Sequence, residues 1–155
     1  MDFTDWMIAL HLLAAFAVAA ALVLFSVLVY SGRRMKTLEE TRTLFRLAPT
    51  GTVLITAGLG LVLVFGVILS LDSDAFEIWD GWIIAAIILL IAFGGVSQRT
   101  GAYYTDVQKL AEAPGDGNEA EVLARLRAPT GAMLHVASVV LFVLILLDMV
   151  FKPGA

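Results

Sequence analysis

Three ionisable side chains fall inside long apolar runs of this chain: His11, His135 and Asp148. An ionisable group in hydrocarbon is costly to bury, so each is by default a candidate for proton handling or ligand binding. An imidazole ligates haem iron or a metal, and its charge changes near neutral pH. A carboxylate beside it fixes the tautomer, an arrangement used by proton relays and metal second shells. His11 and Asp148 lie at similar depths from the ends of their runs and form the candidate relay pair. The competing reading pairs Asp148 with Lys152, four residues on, at the headgroups. On the other side, Ser26, Thr56, Ser97 and His135 reach similar depths and are expected to form one buried hydrogen-bonded layer. For either histidine, a packed and satisfied side chain is the alternative to a ligand.

Other chemistry is excluded by what the chain lacks. It has no cysteine, which removes disulfides, thiolate catalysis and cysteine-held zinc or iron–sulfur centres. It contains no P-loop, dinucleotide fingerprint, metalloprotease helix motif or serine elbow. No basic patch with interleaved aromatics appears, so nucleic acid is not an expected partner.

The elements that carry these residues follow from hydropathy. Of 155 residues, 60% are hydrophobic and 15% charged, against roughly 45–50% and about 25% in soluble domains. A soluble fold has nowhere to hide that surface. A membrane helix needs about 20 apolar residues to cross a core of roughly 30 Å. Residues 6–30, 51–71, 79–98 and 130–151 qualify, which predicts an all-α, single-domain, up-down bundle of four transmembrane helices. Arg33, Arg34, Lys36, Arg42 and Arg46 fill the loop 31–50, and Arg99, Lys109, Arg125 and Arg127 fill the loop 99–129. The opposite side carries Lys152 among seven acids, including Asp2, Asp5, Asp72 and Asp80. The positive-inside rule therefore puts both basic loops in the cytoplasm and both termini outside, as expected for a bacterial inner-membrane protein. On that topology His11 and His135 sit in opposite leaflets, separated by roughly 15 Å of the core, which disfavours one haem bridging both.

The chain also repeats itself. Ala48-Pro49-Thr50-Gly51 recurs as Ala128-Pro129-Thr130-Gly131, each time at the entry of a span. Thr37 with Glu40 fits a capping box, and Asn118 with Glu121 offers a similar start for a second short helix. Each half then reads as span, short helix, proline break, span, a tandem repeat about an axis along the membrane normal. Pro114-Gly115-Asp116-Gly117 separates the extension of span three from the second short helix. Small residues allow membrane helices to approach closely. The expected packing faces are Ala14, Ala17 and Ala21 on span one against Gly51 and Gly58 on span two.

With Leu10-His11 early in span one and the closing Val150-Phe151-Lys152-Pro153-Gly154, the layout resembles a family of small bacterial four-span integral membrane proteins of unknown function. That resemblance implies a membrane fold and no activity. The segment Trp6 through His11 also resembles the opening of the copper-resistance D and bacterial protoporphyrinogen oxidase group, where an early histidine is associated with copper or haem. Span three lacks the lysine that the oxidase-like proteins carry, and no histidine–methionine cluster lines the outer face. The residues thus read as a non-enzymatic membrane component, surrounded by lipid and packing with itself or within a larger complex. No cofactor is required by the sequence, with haem b on His11 or, separately, on His135 the leading one. Small-solute or proton transport through His11 and Asp148 is a further alternative.

Overall fold

The computed structural model describes residues 2–72, 79–113 and 118–152. The turn at 114–117 and Pro153-Gly154 lie outside the described residues. Six helices follow one another: α1 (Phe3–Gly32), α2 (Leu38–Phe45), α3 (Ala48–Asp72), α4 (Gly81–Glu112), α5 (Glu119–Arg127) and α6 (Pro129–Phe151). Four of them, α1, α3, α4 and α6, contain the runs long and apolar enough to cross a membrane. The chain is an all-α four-helix bundle, and long, short, long recurs in each half.

Local chemistry sets the helix ends. The Asp5 carboxylate accepts from the Asp2 N–H (3.0 Å), satisfying one of the donors a helix start leaves unpaired. Thr37 caps α2 by accepting from the Glu40 N–H, while Glu40 reaches back to the Lys36 N–H (2.8 Å), one residue short of the Thr37 N–H that the expected capping box would use. Asn118 precedes α5 without a side-chain cap. Pro129 occupies the first turn of α6, where its missing N–H costs nothing.

Packing joins each long helix chiefly to its partner in the same half. α1 and α3 run antiparallel with a constant register: Phe25 lies on Gly51, Val18 and Ala14 on Gly58, His11 on Gly66, and the Thr4 hydroxyl donates to the Asp72 carboxylate (2.7 Å). α4 and α6 do the same, with Tyr104 on Gly131, Ser97 at Ser138, Phe93 beside Phe142 and Trp82 under the Lys152 ammonium. The halves meet where α1 packs on α6 and where α2 packs on α4. Val18, Leu22, Phe93 and Ile145 form the apolar middle of the bundle. Of the small residues expected to pack, Ala14, Ala21, Gly51 and Gly58 are buried, whereas Ala17 is only half-buried. α1 presents Ala14, Val18 and Ala21 inward, a stripe that leaves Ala17 at its margin.

The short helices close the loop end. Phe45 of α2 and Leu126 of α5 join Phe25, Leu28, Tyr104 and Val107 in a second buried cluster, with Phe45 stacked on Tyr104 at 5.6 Å between ring centres. Arginines then tie the halves together through main-chain carbonyls. Arg33 donates to Ala128 (3.1 Å), Arg127 to Met35 (3.4 Å), and Arg42 to Ala111 (2.6 Å) in the last turn of α4.

Gly58 is where helix approach is closest. A Cβ there would lie 2.6 Å from Val18 Cγ2 and 3.2 Å from the Ala14 carbonyl, while one at Gly60 would meet nothing. Gly58→Leu is therefore expected to destabilise the bundle by about 1–3 kcal/mol or more, the range for overpacking a filled contact. Gly60→Leu is expected to leave stability unchanged. Unfolding by denaturing detergent, followed by circular dichroism, checks both.

Candidate functional site

The polar residues of the spans separate into two places. At the loop end, α6 turns His135 and Ser138, one helical turn apart, toward Ser26 of α1 and Ser97 and Thr100 of α4. His135 is 2% exposed, and its Nε2 lies 2.7 Å from Ser26 Oγ. Around it, Leu22, Phe25, Ile55, Ser97, Thr100 and Ser138 enclose a pocket of about 10 Å³.

Hydrogen-bond accounting assigns the protons here. A serine or threonine hydroxyl has one hydrogen to donate. The Ser26 hydroxyl lies 2.9 Å from the Leu22 carbonyl and 2.7 Å from His135 Nε2; with its hydrogen on the carbonyl, its oxygen accepts from a ring protonated at Nε2. Ser138 donates to the Leu134 carbonyl (3.2 Å) and Thr100 to the Val96 carbonyl (3.0 Å). Ser97 reaches Ser138 Oγ across a longer 3.4 Å. Each hydroxyl of the layer is thus tied to a backbone or to another helix, which fixes the relative rotation of α1, α4 and α6.

The expected layer of Ser26, Thr56, Ser97 and His135 is corrected at one member. Thr56 is exposed on α3, and Ser138 takes its place. Depth along a span says nothing about rotation around it, and that is why Thr56 misled. The spacing of His135 and Ser138, i and i+3, was the signal that could have found the right residue.

His11 lies at the termini end, half-buried, with its ring edge over Gly66 of α3, where an added Cβ would meet Cε1 at 3.2 Å. Its Nδ1 is buried without a hydrogen bond. Asp148 is 9% exposed, and its Oδ2 likewise has no partner. No hydrogen bond joins Asp148 to His11. Nor does Asp148 pair with Lys152, whose ammonium sits 5.2 Å from the centre of the Trp82 ring.

His135 is level with Ser26, fifteen residues along α1 from His11. That is about 22 Å at ~1.5 Å per residue, more than the roughly 15 Å expected. α1 has 30 residues and spans about 45 Å, so its ends overrun a ~30 Å core and counting inward from them compresses the depths. One porphyrin iron cannot take both imidazoles at that separation. Neither does a haem fit inside the bundle on His135 alone, since the 10 Å³ pocket is far below the roughly 300 Å³ or more of small-molecule sites. Among the described residues, no group of three or more histidine, aspartate or glutamate side chains converges to hold a metal.

No protein-family model, curated protein or solved structure matches the chain. What the geometry defines is the class alone: a multi-pass, four-helix membrane protein with a buried polar layer near its loop end.

Removing the acceptor of His135 leaves a buried N–H unsatisfied. Ser26→Ala is expected to cost about 1–3 kcal/mol. The double variant Ser26→Ala/His135→Leu is expected to cost less than the sum of the two single changes. A double-mutant cycle on detergent unfolding measures that coupling.

Proposed function

We propose that this protein is a non-enzymatic membrane component that works by lateral assembly, with another copy or within a larger membrane complex. The observation that carries the reading is the coverage of α3. In its spanning stretch α3 buries 6% of its residues, where α1 buries 39%. Only Ala48, Gly51 and Gly58 of α3 are buried, all near α1 or the loop end. Its opposite face exposes Thr52, Thr56, Gly60, Leu63 and Val67 at helical spacing. Lipid tails cover leucine as well as protein does, but helix–helix contacts in membranes favour glycine and threonine, which admit close backbone approach and interhelical hydrogen bonds.

The alternatives are less well supported. Transport through His11 and Asp148 needs a polar route, whereas Val18, Leu22, Phe93 and Ile145 fill the space between the termini end and the His135 layer. Haem on His11 needs a cavity beside the ring, and the ring instead lies against the α3 backbone.

We also infer that the loop end is cytoplasmic and both termini face outward across a bacterial inner membrane, from the arginine and lysine asymmetry of the loops. The chain has no native cysteine, so single-cysteine variants report cleanly. In intact cells, Phe3→Cys is expected to react with an impermeant maleimide and Arg46→Cys to remain protected; the reverse pattern overturns the orientation.

Assembly is tested by mild extraction, crosslinking and mass spectrometry. Wild-type protein is expected to run as an oligomer or with defined partners. Thr56→Leu/Gly60→Leu is expected to dissociate it by at least tenfold while retaining helicity and stability. A wild-type protein that is monomeric and partner-free in native membranes refutes the reading.

A further inference from the structure

The pocket beside His135 is lined on its polar side by acceptors. Ser26, Thr100 and Ser138 each give their single hydroxyl hydrogen to the carbonyl one turn back, and Ser97 gives its own to Ser138. With Nε2 donating to Ser26, the His135 Nδ1 carries a lone pair and has no protein partner. Ser97, Thr100 and His135 all line the pocket, and with the hydroxyl hydrogens so engaged no donor is left among its polar side chains to meet Nδ1. A ring that is 2% exposed, deep in a membrane bundle, has bulk water no nearer to hand.

Size and charge choose the guest. The pocket's volume of about 10 Å³ is at the lower limit for one water molecule. Its lining residues are Leu22, Phe25, Ile55, Ser97, Thr100, His135 and Ser138, with no carboxylate among them. A cation would therefore be desolvated without a counter-charge, which is strongly unfavourable. Water supplies two donors and no net charge.

We propose that this pocket is a binding site for a single water molecule, which donates to His135 Nδ1 and to the Ser97 or Thr100 hydroxyl oxygen. The water completes the polar layer and holds the imidazole in its neutral Nε2–H form.

The test is nitrogen NMR on the full chain in lipid bilayers. The chain has two histidines, so His11→Gln leaves His135 as the sole ring signal; if that variant does not fold, the His135 signals in wild type are those lost in His135→Gln. The expected spectrum shows Nε2 protonated, Nδ1 bare and hydrogen-bonded, and polarisation transfer from an immobilised water to Nδ1. Thr100→Val, which keeps the side chain's shape and removes its oxygen, is expected to weaken that transfer at least twofold with the fold intact. A proton on Nδ1, an imidazolium ring, or no transfer from water in wild type overturns the proposal.

Discussion

The approach of two backbones at Gly58 governs the first half of the bundle. With Val18 Cγ2 occupying the place a Cβ would take, α3 cannot slide or rotate on α1 without clashing or opening a gap. Everything else in that half inherits the register. Gly51 receives Phe25 two turns toward the loop end, Gly66 receives His11 two turns toward the termini, and Thr4 meets Asp72 at the last step. Because hydrocarbon gives apolar side chains no reason to leave it, such contact geometry does the specifying that hydrophobic burial does in water. The second half solves the same problem differently. Gly131 takes the Tyr104 ring, but the place corresponding to Gly58 holds Ser138 bonded to Ser97. One half is therefore locked by shape and the other by hydrogen bonds.

The loop end then joins the halves. Arg33 reaches from the end of α1 to the carbonyl after α5, and Arg127 reaches from the end of α5 to the carbonyl of Met35. The two bonds run in opposite directions between the same two connecting segments. They satisfy carbonyls that helix ends and tight turns leave unpaired. Some of the basic residues that mark the loop side thus have a second task, and losing one would disturb helix–helix geometry as well as charge balance.

How much of this was legible in the sequence depends on the kind of information needed. Span positions were readable because each run of about 20 apolar residues encodes its own helix, and Pro129 and Thr37 marked starts that the structure uses. Gly51 and Gly58 were legible as contacts because small residues in an apolar span have few other uses. Rotation was not legible. Ala17 lies at a sensible depth but at the margin of its packing face, and Thr56 on the exposed side of its helix; nothing within one helix of near-uniform hydropathy tells its inner face from its lipid face. The bond from Ser26 to His135 crosses 109 positions of chain, and the sequence constrains it only through depth. Asp148 failed for a related reason. Its spacing to Lys152 fits an i,i+4 pair, but α6 ends at Lys152 in a left-handed conformation (φ 42°), which carries that side chain out of the helical row and over Trp82.

The distribution of polarity also bears on where activity resides. A transport route needs polar groups that continue from one face to the other, whereas here they stop. Ser26, Ser97, Thr100, His135 and Ser138 form one layer at the loop side, and Phe93, at 0% exposure, fills the next layer with Val18, Leu22 and Ile145. A polar cluster bonded across three helices and walled off by a packed apolar layer specifies helix rotation, since any other rotation would strand donors in hydrocarbon. The interior is thus used to make one arrangement of helices unique. On the proposed reading of lateral assembly, an interior of that kind would hold the α3 face in the fixed shape that recognition by a neighbouring helix requires.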